Sequence, residues 1–212
     1  MIVMNKASLK EVIGTLEMLF SQLNKKLFDN KLKNPVITVS PDRGKKGMTT
    51  WGWCTSWKAW KDSDDGGYYE INLCAEYLSR PFKLICETLI HEMCHLYNLQ
   101  NGIKDCSRGG TYHNAKFKEA AIAHGLTCEK TDSGWAKTAL TEETAAWIQI
   151  KFDEKSRLGL YREKTMHFDA VGTAKKSSTR KYVCPECGTI IRATKEANVT
   201  CTDCDEKFLL AG

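Results

Sequence analysis

The chain has 212 residues, of which 42% are hydrophobic, and a net charge of +5. That length allows one domain, or one domain with a small added module, and no apolar run approaches the roughly 18 residues of a membrane span. The ten cysteines would suggest disulfides in a secreted chain. However, Met1-Ile2-Val3-Met4-Asn5-Lys6 lacks the apolar segment and small-residue cleavage site of a secretory signal, so a reducing, cytoplasmic setting in a microbe or an infected cell is expected.

Ser8-Leu9-Lys10-Glu11 fits a capping box and opens a long helix with the stripe Leu9, Val12, Ile13, Leu16, Leu19, Phe20, Leu23 and Leu27. Asn34-Pro35 breaks the chain. Val36–Val39, Met48–Cys54 and Tyr68–Leu73 read as three strands, with Asp64-Asp65-Gly66-Gly67 as the turn before the third. Phe82, Ile85, Leu89, Ile90, Met93, Leu96 and Tyr97 then recur at spacings of three and four. Ser79 and Pro81 suit the start of that helix and Asn101-Gly102 its end. A glycine-rich turn, Ser107–Tyr112, leads to another helical pattern through Phe117, Ala120 and Ala121. Thr141 starts a last helix carrying Ala146, Trp147 and Ile150. Residues 155–181 are polar and without period, a linker. Thr189–Thr194 and Lys207–Leu210 read as strands, and there is no internal repeat.

Within the apolar helix stands His91-Glu92-Met93-Cys94-His95. Residues four apart share a helix face, with Cβ atoms about 5–6 Å apart, so two imidazoles can hold one zinc ion. Glu92, turned away by about 100°, is a poor ligand but can take a proton from an activated water. Cys94 cannot easily share the metal with its neighbour His95 and reads as a small core residue. A catalytic zinc takes three protein ligands and keeps a position open. The astacin-like extension would need glycine at position 98 and histidine at position 101, where this chain has Asn98 and Asn101. His113, opening the next helical pattern, is one candidate third ligand; Glu119, a carboxylate on that helix, is the other. His124 precedes Gly125 at a helix end, where the helix dipole accounts for it without metal.

Cys184-Pro185-Glu186-Cys187-Gly188 and Cys201-Thr202-Asp203-Cys204 are two CxxC knuckles. Four thiolates from two such turns make a closed tetrahedral zinc site, with Gly188 suited to the tight turn after the first. So small a module cannot bury enough apolar surface to fold alone, and metal supplies the stability. Cys54, Cys74, Cys86, Cys94, Cys106 and Cys128 show no paired spacing.

These features together resemble the SprT-like (Spartan-related) zinc metalloprotease family, on His91–His95, on His113 with downstream Phe117, and on the knuckles Cys184/Cys187 and Cys201/Cys204. Tyr112 departs from the glycine that relatives often place before the third histidine. The resemblance implies an α+β fold: a zincin-like domain over 1–154 with an N-terminal helix, a small three-stranded sheet, the metal-site helix and following helices. A basic linker over 155–181 and a Cys₄ zinc ribbon over 182–212 complete it. His91, His95 and His113 are implied as ligands of one catalytic zinc, Cys184, Cys187, Cys201 and Cys204 as ligands of one structural zinc, and Glu92 as catalytic base. A monomeric, DNA-associated protease is implied, one that digests proteins crosslinked to single-stranded or damaged DNA in the setting of DNA repair.

Charge gives DNA limited support. From residue 155 onward 11 Lys and Arg face 7 Asp and Glu, and the excess sits in Lys175, Lys176, Arg180, Lys181, Arg192 and Lys195. Basic groups near Tyr182 suit phosphates and a stacked base. Trp51 and Trp53 alternate on one strand face and read as core; Trp57 and Trp60, interleaved with Lys58 and Lys61, suit contact with nucleic acid. The strand Met48–Cys54 is a candidate to pair with extended substrate, and Tyr112 a candidate oxyanion donor. The rival reading is a zinc-stabilised nucleic-acid-binding adaptor without strong catalysis.

Overall fold

Ser8 Oγ accepts the Glu11 N–H at 3.3 Å while the Glu11 carboxylate accepts the Ser8 N–H at 2.9 Å, and this reciprocal cap starts α1 (Leu9–Leu27). The computed structural model describes residues 8–43, 49–63, 66–152, 158–163 and 179–211. Met48, the Asp64-Asp65 turn, His167 and the linker lysines Lys175 and Lys176 lie outside the described residues. The chain divides into two units, Met1–Lys164 and Thr165–Gly212.

In the first unit, α1 buries Val12, Leu16, Leu19, Phe20 and Leu23. Three strands follow: β1 (Val36–Ser40), β2 (Gly52–Cys54) and β3 (Glu70–Cys74). β3 is central, parallel to β1 and antiparallel to β2, so β2 is an edge strand. The second strand starts later than its sequence pattern, at Gly52. Ahead of β3, Tyr68 exchanges backbone hydrogen bonds with Trp60 instead of joining the sheet. α2 (Phe82–Gln100) lies against β2 and β3 through Ile85, Leu89, Ile90 and Met93, all buried, with Cys94 wholly inside the core.

Beyond α2 the chain builds a second sheet that the periodicity analysis does not anticipate. β4 (Cys106–Ser107), β5 (Tyr112–His113), β6 (Leu126–Thr131) and β7 (Gly134–Leu140) run in the order β4-β5-β7-β6, with α3 (Ala115–Ala123) between β5 and β6. β4 and β5 are two residues each, too short for alternation to register. The β6–β7 hairpin turns at Asp132-Ser133 and exposes much of one face, so its apolar pattern is thin. α4 (Glu142–Lys151) starts at Thr141, whose hydroxyl accepts the Thr144 N–H at 3.2 Å. Leu158 is buried, and Arg162 donates its N–H to Ala75 O and pairs with Glu76 at 2.8 Å. Residues 158–163 thus pack as part of this unit, although their composition reads as linker.

The second unit contains β8 (Arg180–Val183), β9 (Ile190–Ala193), β10 (Thr200–Cys201), β11 (Glu206–Lys207) and β12 (Leu209–Ala211), with sheets β12-β8-β9 and β10-β11. The expected last strand is split at Phe208, whose N–H donates to Val199 O. The fold is α+β, and its C-terminal four-cysteine cluster fits a zinc ribbon. Among the described residues no helix is long and apolar enough to cross a membrane.

Two polar groups, buried Asn24 and half-buried His124, close the α1 end of the core. Asn24 donates to Leu32 O at 3.0 Å and accepts the Leu32 N–H at 3.2 Å. Asn24→Leu strands both backbone groups and should lower unfolding free energy by about 1–3 kcal/mol in urea titrations. His124 caps α3, stacks on Phe28 at 4.0 Å and donates Nδ1–H to Leu27 O. Burial holds its pKa below the usual 6.5, so it serves as a neutral donor and not as a cation on the helix dipole. Its stabilisation is full above pH 6.5 and lost as pH falls through the depressed value. The stability difference between wild type and His124→Gln, followed by urea unfolding, should shrink below that pH; a constant difference would contradict this.

Candidate metal centre and cleft

His91 and His95 project from one face of α2, and β5 brings His113 to meet them. His91 Nε2 lies 3.3 Å and His95 Nε2 3.1 Å from His113 Nε2. A single nitrogen can share a proton with only one of those neighbours. A tetrahedral cation with nitrogens at about 2.0–2.1 Å sets N···N edges of about 3.3–3.4 Å, so the three residues fit a shared metal ion. Glu119, the other candidate third ligand, points elsewhere: it is exposed and paired with Lys116 at 2.8 Å.

The rings are fixed from behind. Asp105 accepts His95 Nδ1–H at 2.7 Å and is itself held by Asn98 Nδ2 at 3.1 Å, which turns the His95 Nε2 inward towards the other two rings. His91 Nδ1 meets Thr138 Oγ1 of β7 at 3.2 Å. Phe117, fully buried, places its ring 4.6 Å from each of the three imidazoles and forms an apolar floor. Burial, together with their neighbours, holds His91 well below the usual histidine range and His113 down to about 4, the neutral form that ligates metal. Burial also lowers His95, but the Asp105 hydrogen bond and nearby carboxylates outweigh it and lift the pKa to about 10.

Glu92 is 6% exposed beside this centre. Burial raises its pKa to about 7, against the pull of His95 and the Cys54 backbone N–H. β2 can pass so close only because residue 52 is glycine: a Cβ there would stand 2.7 Å from Asn72 O and 3.5 Å from Glu92 Cγ. A cleft of roughly 510 Å³ opens over Glu92, His91 and His113, between residues 49–52 on one side and β7 on the other.

Several aromatic expectations are corrected. Trp51 is 48% exposed on the cleft wall, and Trp53 is only half-buried under Arg43, so neither is core. Tyr112 alternates with His113 along β5 and therefore points the other way, with the Arg108 guanidinium 4.7 Å from its ring; it does not line the cleft. Tyr182 is 4% exposed and its hydroxyl accepts the Ala197 N–H, which removes it as a stacking platform. Trp57 and Trp60 do stand exposed. Asp105, Thr138 and the glycines at 52 and 134 escaped sequence reading, since their roles come from contacts distant along the chain.

In the second unit the sulfurs of Cys184, Cys187, Cys201 and Cys204 lie within 4.8 Å of one another. Cys187 and Cys201 are 3.8 Å apart, the edge of about 3.8 Å that zinc–sulfur bonds of about 2.3 Å produce. Each knuckle closes alike: Gly188 N–H donates to Cys184 O and Asp205 N–H to Cys201 O, both residues having positive φ.

Gly134 offers a direct probe of the histidine centre. Its φ is +76°, and a Cβ there would overlap His113 O and stand 2.9 Å from the His113 carbonyl carbon. Gly134→Ala should therefore displace His113 and lower zinc uptake at the three histidines while leaving uptake at the four cysteines unchanged. Elemental analysis after dialysis against zinc measures this, and unchanged metal content would show that β7 does not hold His113 in place.

Neither the curated proteins nor the solved structures contain a match to this chain. The model of the SprT-like family matches residues 16–132, more than half the chain, from α1 through the three histidines into the turn after β6. The protein belongs to the SprT-like family.

Proposed function

We propose that this protein is a zinc-dependent metalloendopeptidase whose catalytic zinc is held by His91, His95 and His113, with Glu92 as general base. The observation that carries the reading is the convergence of three imidazole nitrogens beside a buried carboxylate. Zinc bound there would supply Lewis-acid polarisation of a carbonyl and acidify a water. Glu92, held by the Cys54 N–H, accepts a proton as water attacks a peptide carbonyl and delivers it to the leaving nitrogen. The free edge of β2 offers backbone groups to an extended substrate. Cys184, Cys187, Cys201 and Cys204 hold a second, structural zinc in a ribbon over 182–212.

We further propose that the enzyme works on protein held on DNA. The supporting charge lies in the linker. Residues 155–181 carry eight Lys and Arg against two Asp and Glu. The ribbon itself has only Arg192, Lys195 and Lys207 against Glu186, Glu196, Asp203, Asp205 and Glu206. Lys181 and Arg192 are partners across β8 and β9 and share one face, a short cationic row beside the linker. Trp57 is 65% exposed and open to stacking.

Incubation of the protein with casein, with and without single-stranded DNA, tests both steps. Cleavage should be greater with DNA and abolished by a chelator. Glu92→Gln should keep its fold and both metals while losing cleavage by about 10²–10⁴-fold. Full activity in that variant would remove Glu92 from its role, and tight DNA binding without any cleavage would favour the adaptor.

A further inference from the structure

We propose that Arg80 is a positioning residue for substrate: its guanidinium clamps Trp51, in the cleft wall, to α2 and thereby holds the backbone of Gly52 where an extended polypeptide pairs with it. The proposal rests on the peptidase reading above.

β2 presents only part of its backbone to the cleft. Trp51 O accepts the Cys74 N–H and the Thr55 N–H donates to Glu70 O, both at 2.9 Å, and Trp53 stands opposite Asn72. Residues 51, 53 and 55 therefore turn their backbone groups to β3, and residues 52 and 54 turn theirs to the free edge. The Cys54 N–H is taken by Glu92. Gly52 lines the cleft and keeps an N–H and a C=O on that edge, the two groups that a substrate strand needs.

The wall that carries Gly52 is a short run of chain. Thr49, Thr50 and Trp51 precede β2 and line the cleft with it. The sheet fixes the Trp51 carbonyl, and Arg80 fixes the ring, its guanidinium 4.5 Å from the ring centroid. The guanidinium is itself held: Nε–H donates to Tyr77 O at 3.0 Å, Nη2–H donates to Thr88 Oγ1 at 2.8 Å, and Glu87 supplies the opposite charge. Thr88 is buried on α2 and donates to Leu84 O at 3.0 Å, and its methyl group would lie 3.2 Å from a Cβ on Gly52. One planar cation thus joins α2, through Thr88 and Glu87, to the residue beside Gly52. A fork that bonds through two nitrogens while lying over a ring is not reproduced by the point charge of lysine. Trp51 is otherwise 48% exposed, so its ring has little other cover to keep the wall in place.

The test uses full-length, zinc-loaded Glu92→Gln protein titrated with a fluorescent peptide drawn from casein. Adding Arg80→Gln should weaken peptide binding about tenfold, and Arg80→Lys should recover only part of that loss. Trp51→Leu should weaken binding similarly, and its combination with Arg80→Gln should add little, because both remove one clamp. Peptides with one backbone N-methyl group at successive positions report the pairing. A single position should lose affinity sharply, and that loss should shrink in Arg80→Gln. Zinc uptake at the three histidines should stay as in the parent protein. Unchanged peptide affinity in Arg80→Gln, additive losses in the double variant, or an N-methyl profile that Arg80→Gln leaves as it was overturns the proposal. Loss of zinc together with peptide binding also overturns it, in favour of a purely structural role. With Glu92 intact, Arg80→Gln should raise KM for casein and leave kcat within about twofold; the reverse split counts against the clamp. Lack of all cleavage in the wild type would count against the peptidase reading alone, because the titrations do not depend on turnover.

Discussion

Bringing the Nε2 atoms of His91 and His95 within 3.3 Å of His113 Nε2 leaves lone pairs crowded together unless a cation or a shared proton lies among them, and much of the first unit holds the rings in that arrangement. The i,i+4 spacing on α2 supplies two rings. The third comes from a two-residue strand that is held at His113 by the Ser133 carbonyl and by its pairing with Gly134. Behind the rings, the Asn98–Asp105–His95 chain and the Phe117 floor remove the freedom to turn away. A ligand set built from distant segments is only as precise as the packing behind it. Here the packing is the α2–α3–β7 corner.

Burial gives the same small region two opposite electrostatic tasks. It keeps His91 and His113 neutral by making a buried cation unfavourable, and it raises Glu92 by making a buried anion unfavourable. The backbone of β2 moderates the second effect with one N–H, and glycine at position 52 is what allows the approach. The sheet edge that would receive a substrate strand is thus also the element that positions the proposed base.

The ribbon solves a different problem. Its sheets are short, and Ile190, Leu209 and Leu210 remain exposed, so it has little core of its own. The four cysteines gathered by the two knuckles could hold a metal ion, a cross-link of the kind that replaces apolar burial in so small a unit. Its own acidic excess leaves the positive charge of this end of the chain in the residues before it, 155–181.

Local chemistry was legible in the sequence because it depends on short spacings. The capping box of α1, the apolar stripe of α2, the i,i+4 histidines with Glu92 between them, and both CxxC knuckles depend on residues within one or two turns of each other, and all appear where their periods put them. The second sheet was not legible, because β4 and β5 hold two residues each and the β6–β7 hairpin has a half-exposed face that weakens its alternation. The choice of His113 over Glu119 was also beyond spacing alone: both follow α2 by similar stretches, and only the pairing of β5 with Gly134 aims the imidazole inward while Glu119 turns to Lys116 and solvent. Trp51 shows the same limit from the other side. Its alternation with Trp53 suggested a buried strand face, but β2 lies at a sheet edge over the cleft, and neighbours far along the chain decide whether an aromatic ring is covered. What the sequence by itself determined was each helix face and each ligand pair; what the tertiary structure decided was which faces meet, since that depends on contacts between residues tens of positions apart.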